Sequence, residues 1–129
     1  MKIDNVLYIE DSIEKYMDIY HFLRDQRVSQ IEWATDAEKA LQILEKYEKE
    51  GRTIDLILSD MHFDYFGVDD RNAGERIMLL LREKGCKIPF VFCSSQNWKV
   101  EGSLGNIFYN PRRAWEIEAE QLFRDIKQL

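Results

Sequence analysis

The run IDLILSD at residues 54–60 decides the fold. From Ile54 to Ser59 it is mostly apolar, and a carboxylate, Asp60, follows directly. A strand buried on both faces shows this nearly continuous apolar pattern, and such strands belong to parallel sheets that are covered by helices. Comparable runs lie at 6–9 and 88–93. The sequence therefore predicts a parallel sheet with helices on both sides.

Stretches of helical period separate the predicted strands. Between the apolar runs, apolar side chains recur at steps of three and four, as in amphipathic helices. The second predicted strand is polar at alternate positions, which indicates an edge strand. The predicted strands are residues 6–9, 30–33, 54–59, 88–93 and 107–109.

Right-handed crossovers then favour an α/β fold, a three-layer flavodoxin-like doubly wound sheet of five parallel strands in the order 2-1-3-4-5. The fourth connection differs from the others. Residues 96–106 contain two glycines and no helical stripe. We expect a short or irregular fourth crossover there.

Several helix starts are predicted from capping signals. Thr35 and Asn72 are each followed three residues later by Glu, as in reciprocal caps. Asn110 before Pro111 is typical of an N-cap followed by a proline in the first helical position. Asp11 has a Glu three residues later as well, so a simple capping role is an alternative to any chemical role for it.

The composition describes one globular domain, 1–129, with an acidic balance. Its 129 residues are 45% hydrophobic and 33% charged. With 18 basic and 24 acidic residues the net charge is −6, which argues against nucleic acid and anionic membranes as partners. No apolar run is long enough to span a membrane. Two cysteines, without disulfide or zinc spacing, favour a reducing, cytoplasmic location.

Carboxylates and hydroxyls collect where the predicted strands end. In this topology ligands bind outside the carboxyl ends of the strands. The first strand is followed by Glu10 and Asp11, the third by Asp60 and the fourth by Ser94 and Ser95. Two charges 4 Å apart repel by about 4 kcal/mol at an effective dielectric constant near 20, so such a cluster calls for a cation. An all-oxygen site with room for water and a phosphoryl group suits Mg²⁺.

In this order, the motifs resemble those of response-regulator receiver domains, the phosphoacceptor modules of two-component signalling. The resemblance covers nearly the whole chain. It rests on an acidic pair after strand one, an acidic residue ending strand three and a serine ending strand four. The matching stretches are LYIEDS at 7–12, DLILSD at 55–60 and PFVFCS at 89–94.

The resemblance implies a role for each matching residue. Asp60 would accept the phosphoryl group, and Ser94, with Ser95 beside it, would bind the phosphoryl oxygens. Glu10, Asp11 and Asp60 would hold Mg²⁺ together with the backbone carbonyl of His62. The phosphoryl donor would be a histidine kinase or a phosphotransfer protein, and the output would pass through contacts with an unknown protein target.

The chain departs from the family pattern at the end of strand five. Receivers normally have Lys-Pro there, and this chain has Asn110-Pro111. Three carboxylates with Mg²⁺ would leave a charge of −1, which a lysine would neutralise. Lys99, Arg112 and Arg113 are the substitutes considered from the sequence. The loop at 61–73, acidic and aromatic, is also longer than is usual in the family, which suggests a function for it.

These observations predict a stand-alone receiver without an output domain, phosphorylated at Asp60 with Mg²⁺. The alternative is a phosphorylation-independent pseudo-receiver that acts as a protein-binding module. We expect no enzymatic turnover beyond self-phosphorylation. A phosphatase of the haloacid dehalogenase kind is disfavoured because Asp60-Met61-His62 lacks the second carboxylate of its Asp-x-Asp motif.

Overall fold

The computed structural model describes residues 1–129 as a five-stranded sheet between two layers of helices, with a separate two-stranded hairpin. The elements are β1 (Asn5–Ile9), α1 (Ile13–Asp25), β2 (Gln30–Ala34), α2 (Ala37–Lys49), β3 (Leu56–Ser59), β4 (Phe63–Tyr65), β5 (Val68–Asp70), α3 (Ala73–Glu83), β6 (Phe90–Ser94), β7 (Gly105–Phe108) and α4 (Trp115–Lys127). The parallel sheet has the order β2-β1-β3-β6-β7, which confirms the flavodoxin-like α/β prediction. As predicted, β2 is an edge strand and no helix connects β6 to β7.

The sheet separates two apolar cores. Side chains of α1 and α4, such as Leu23 and Phe123, pack on one face of the sheet, and those of α2 and α3, such as Ala40 and Ile77, pack on the other. Alternate residues of the central strands feed the two cores: Tyr8 belongs to the first and Leu7 to the second. Burial of both faces explains why β1, β3 and β6 are nearly continuous apolar runs.

The helix starts differ from the predicted caps. The N-cap of α2 is Asp36, whose carboxylate accepts the backbone N–H of Lys39 at 2.8 Å, so the prediction of a cap at Thr35 was wrong by one residue. Asn72 does precede α3, but its side chain makes no capping hydrogen bond. At α1 the cap is Ser12, not Asp11, which removes the capping explanation for the exposed Asp11 carboxylate.

The last helix also begins later than expected. The prediction that Asn110 caps it was wrong, because α4 begins at Trp115 after a turn. The Asn110 side-chain oxygen instead accepts the N–H of Arg112 at 2.9 Å, which closes a local turn around Pro111.

The long loop after β3 contains a small hairpin. Strands β4 and β5 pair antiparallel across a two-residue turn of Phe66 and Gly67, both with positive φ. Two left-handed residues form the type of turn that matches the twist of a hairpin. Phe63 is buried beneath the hairpin and fixes it to the core, whereas Phe66 is exposed at its tip.

Candidate functional site

Strand register brings the predicted acidic residues together. Ile9 of β1 pairs with Ser59 of β3, so Glu10 and Asp60 follow adjacent strand ends. The Asp60 N–H is bonded to the Ile9 carbonyl at 2.9 Å, which continues the ladder by one residue. One carboxylate oxygen from each of Glu10, Asp11 and Asp60 lies within 4.8 Å of the others. The convergence expected from the topology is therefore present.

The three carboxylates differ in their exposure to water. Glu10 is fully buried, Asp60 is partly buried, and Asp11 faces the solvent. A hard cation that prefers oxygen ligands and retains several waters fits a site with one buried and one open side. The donor set thus fits Mg²⁺, with Glu10, Asp11 and Asp60 as the side chains that would hold it. The backbone carbonyl of His62 remains a predicted ligand.

A lysine that the sequence analysis did not consider lies inside this cluster. The Lys15 ammonium, from the first turn of α1, is 3.0 Å from Glu10 Oε1 and 3.1 Å from Asp60 Oδ1. It also donates a hydrogen bond to the Cys93 carbonyl at 2.7 Å, which brings the end of β6 to the same point. Its side chain is only 12% exposed, so the two ion pairs are shielded from solvent.

Glu10 is held by several further donors. The Tyr8 hydroxyl donates to its Oε1 at 2.9 Å, and the Ser12 N–H donates to its Oε2 at 3.2 Å. The indole N–H of Trp33 donates to the Glu10 backbone carbonyl at 2.7 Å. A fully buried carboxylate requires such partners, because its desolvation is costly when they are absent.

Burial and ion pairing act in opposite directions on these groups. Burial, with the Asp60 charge adding to it, raises the pKa of Glu10 to about 7 although the Lys15 ammonium opposes the shift. Burial by itself would lower the pKa of Lys15, but the negative groups around it raise that pKa to about 12. Lys15 is therefore a permanent positive charge at neutral pH.

The two oxygens of Asp60 have different surroundings. Oδ1 accepts the N–H of Met61 at 2.8 Å and contacts the Lys15 ammonium. No protein group donates to Oδ2, and the side chain is 15% exposed. The carboxylate is thus fixed by one oxygen and leaves the other free to act as a nucleophile or a metal ligand.

Helix α3 packs tightly against the backbone of this residue. The Gly74 N–H donates to the Met61 carbonyl at 3.0 Å. A Cβ atom on Gly74 would overlap the Asp60 carbonyl oxygen and lie 2.9 Å from Cε1 of Phe92. Only glycine permits this close approach.

The two serines after β6 occupy different environments. Ser94 is the last residue of β6 and is buried, and its hydroxyl accepts the N–H of Gln96 at 3.2 Å. This leaves its hydroxyl proton free to be donated. Ser95 is exposed. Because the preceding carbonyl, that of Cys93, binds Lys15, the end of β6 lies beside the acidic cluster.

None of the three substitutes considered from the sequence pairs with the cluster. Arg113 forms an ion pair with Glu118 at 2.8 Å and stacks over Phe108. Arg112 and Lys99 are exposed and make no ion pair. The cation comes instead from α1. A lysine in the first turn opposes the helix dipole, but Lys39 has the same position in α2 and bonds only the Thr35 hydroxyl, so this position by itself did not distinguish Lys15 in the sequence.

The hairpin borders the site through His62. The Nε2 atom of His62 lies 2.9 Å from Oδ1 of Asp69 on β5. This hydrogen bond raises the pKa of His62, whose side chain is exposed. Both are surface groups at the edge of the acidic cluster.

No family model matches the sequence, and no curated protein matches it. Solved structures do match, over nearly the whole chain. The chemotaxis response regulator CheY4 of Vibrio cholerae superposes with a TM-score of 0.68 and 20% identity, covering 98% of both chains. The Francisella response regulator 1452 receiver domain gives 0.68 and 15%, covering 97% of this chain and 98% of that one.

A third match comes from a kinase. The receiver domain of the histidine kinase CKI1 from Arabidopsis thaliana gives a TM-score of 0.65 and 17% identity, covering 98% of this chain and 91% of that one. At these identities the likeness concerns the fold, and the chain has the fold of response-regulator receiver domains. No helix is long and apolar enough to cross a membrane.

Proposed function

We propose that this chain is a receiver module of phosphorelay signalling that accepts a phosphoryl group on Asp60. The observation that carries the proposal is the unpartnered Oδ2 of Asp60, which lies after the carboxyl end of the central strand β3, in one cluster with Glu10 and Asp11, in a receiver fold. A nucleophile needs a free oxygen in a fixed position, and Asp60 provides one.

The chemistry is a transfer between a histidine and a carboxylate. Oδ2 of Asp60 forms a bond to phosphorus, the P–N bond of the phosphohistidine breaks, and its electron pair returns to the imidazole, which takes up a proton. Mg²⁺, when bound, would supply positive charge to the phosphoryl oxygens. Ser94 would donate its free hydroxyl proton to one of those oxygens. The upstream partner is a histidine kinase or a phosphotransfer protein, and the downstream partner is a protein.

Beryllofluoride, an analogue of the acyl phosphate, provides the test. We expect Mg²⁺ with beryllofluoride to raise the melting temperature of the parent protein, because a ligand that binds only the native state stabilises it. Asp60→Asn should abolish the rise. Asp125→Asn is the matched control, since Asp125 is an exposed carboxylate on α4, remote from the cluster. An unchanged melting temperature in the parent protein would contradict the proposal.

One observation favours the second candidate, a pseudo-receiver that binds its partner without phosphorylation. The Lys15 ammonium satisfies Glu10 and Asp60 without any added cation. In that case Asp60→Asn would leave partner binding unchanged and beryllofluoride would have no effect on either protein. The same thermal measurement therefore separates the two candidates.

A further inference from the structure

The charge balance of the acidic cluster identifies Lys15 as more than a structural residue. With all three carboxyl groups ionised, as cation binding requires, they and the one ammonium carry a net charge of −2. One divalent cation would bring this to zero. Without Lys15 the same cation would leave −1, the imbalance that the missing strand-five lysine suggested.

We propose that Lys15 is the fixed positive charge of the acceptor site, supplied by α1 in place of a strand-five lysine, and that it sets the affinity of the acidic cluster for a divalent cation. The proposal rests on the proposed function for its biological meaning. The ion pairs of the Lys15 ammonium with two of the three carboxylates exist whether or not Asp60 is phosphorylated.

The position of Lys15 is fixed by contacts on three elements. Its ammonium binds Glu10 after β1, Asp60 after β3 and the carbonyl of Cys93 in β6. Its backbone N–H lies at the start of α1 and is capped by the Ser12 hydroxyl at 3.4 Å. A side chain with only 12% exposure and three acceptors has little freedom to leave.

The place in the helix is informative in itself. The first turn of a helix carries a partial positive charge, which disfavours a lysine. Lys15 is placed there nonetheless, and the carboxylates of Glu10 and Asp60 compensate it. At the position where receivers carry their lysine, the Asn110 side chain is exposed and is used in a local turn. The positive charge at the carboxyl ends of the strands is thus supplied by α1 and not by the residue after β7.

An ammonium on Glu10 and Asp60 opposes a cation that needs the same carboxylates. Replacing Lys15 by a neutral side chain should tighten the binding of Mg²⁺, by about tenfold or more given the strength of charge interactions over a few ångströms in a partly buried site. The same change should slow phosphorylation of Asp60 by acetyl phosphate, since one positive charge beside the incoming phosphoryl oxygens is lost.

Three variants test this in the full chain. Lys15→Gln removes the charge, Lys15→Arg retains it, and Lys49→Gln is the matched control because it removes an exposed lysine of a surface i,i+4 pair. Mg²⁺ is titrated by calorimetry and by tryptophan fluorescence, which reports on the site through the bond from Trp33 to the Glu10 carbonyl. We expect about tenfold or tighter binding in Lys15→Gln and at most about threefold change in the other two.

A purely structural role gives a different result. Lys15→Gln would then lower the melting temperature and leave the Mg²⁺ affinity unchanged, and this outcome overturns the proposal. If Lys15→Gln does not fold, the parent protein still decides the question: the side-chain NMR signal of Lys15, identified by its loss in Lys15→Arg, should shift on addition of Mg²⁺ more than that of Lys49. Equal shifts would refute the proposal.

Failure of the proposed function is recognised separately. If the parent protein binds neither Mg²⁺ nor beryllofluoride, the phosphoacceptor proposal fails. The inference about Lys15 is then supported if Lys15→Gln acquires Mg²⁺ binding and refuted if it does not.

Discussion

Gly74→Ala is expected to destabilise the protein and to disturb the acceptor residue in particular. The added Cβ would overlap the Asp60 carbonyl oxygen and lie 2.9 Å from Cε1 of Phe92 and 3.1 Å from Cα of Met61. Two of these three contacts are with backbone, which cannot rotate away. Overpacking of this kind costs about 1–3 kcal/mol, and the higher helix propensity of alanine returns at most about 1 kcal/mol. The overlap with backbone places Gly74→Ala in the upper half of that range, so we expect a net loss of about 1–2 kcal/mol.

Urea denaturation of parent and variant measures this loss as a change in the free energy of unfolding. Gly85→Ala is the control. Gly85 has a φ of +80°, so alanine there strains the backbone. An added Cβ would have no neighbour within 4 Å, so this variant produces no overlap with other residues. Both variants should lose stability, but only Gly74→Ala should also weaken the thermal response to Mg²⁺ and beryllofluoride. A Gly74→Ala protein as stable as the parent would refute the account of the contact between α3 and Asp60.

Three further predictions concern single side chains, of which only Tyr8 contacts a residue of the acidic cluster. Asp55→Ala should lower the free energy of unfolding by about 1–2 kcal/mol, because Oδ2 of Asp55 accepts two backbone N–H groups at the start of β1. Urea denaturation of Asp55→Ala, with Asp55→Asn measured beside it, checks this. An Asp55→Ala protein as stable as the parent would contradict it. Tyr8→Phe should cost about 1 kcal/mol or more by the same assay, since the buried Glu10 loses a donor, and a neutral effect would show that the bond is dispensable. Burial raises the pKa of the Cys93 thiol to about 12. Only the half-buried Cys86 should therefore react with a thiol reagent in the native protein, whereas both cysteines should react in urea. Two reactive thiols in the native protein would contradict the burial of Cys93.

The parallel sheet could be predicted because burial on both faces leaves a direct mark on the sequence. The apolar runs at β1, β3 and β6 admit few other interpretations, and the polar alternation of β2 identified it as an edge. The acidic cluster followed from topology alone, since residues after the ends of adjacent parallel strands must converge.

Helix caps and the lysine were harder to predict because they depend on local competition and on distant contacts. Thr35 and Asp36 are both good capping residues, and the structure selects Asp36, whose extended backbone lets its carboxylate accept the N–H of Lys39. In the sequence, Lys15 is indistinguishable from the other polar residues of an amphipathic helix. Its role emerges only when β3 and β6 are placed beside β1, which brings Asp60 and the Cys93 carbonyl to it.

The position of Lys15 also affects how the chain folds. Lys15 follows Glu10 by five positions, whereas Asn110 follows it by 100. Closing the longer loop costs about 2.7 kcal/mol more in chain entropy, by the logarithmic dependence on loop length. Glu10 therefore needs only β1 and the first turn of α1 to reach its counter-charge, and this contact does not depend on the placement of β7. The ion pair of this fully buried carboxylate is thus a short-range contact of the chain, whereas a partner at position 110 would have made it one of the longest-range contacts of the fold.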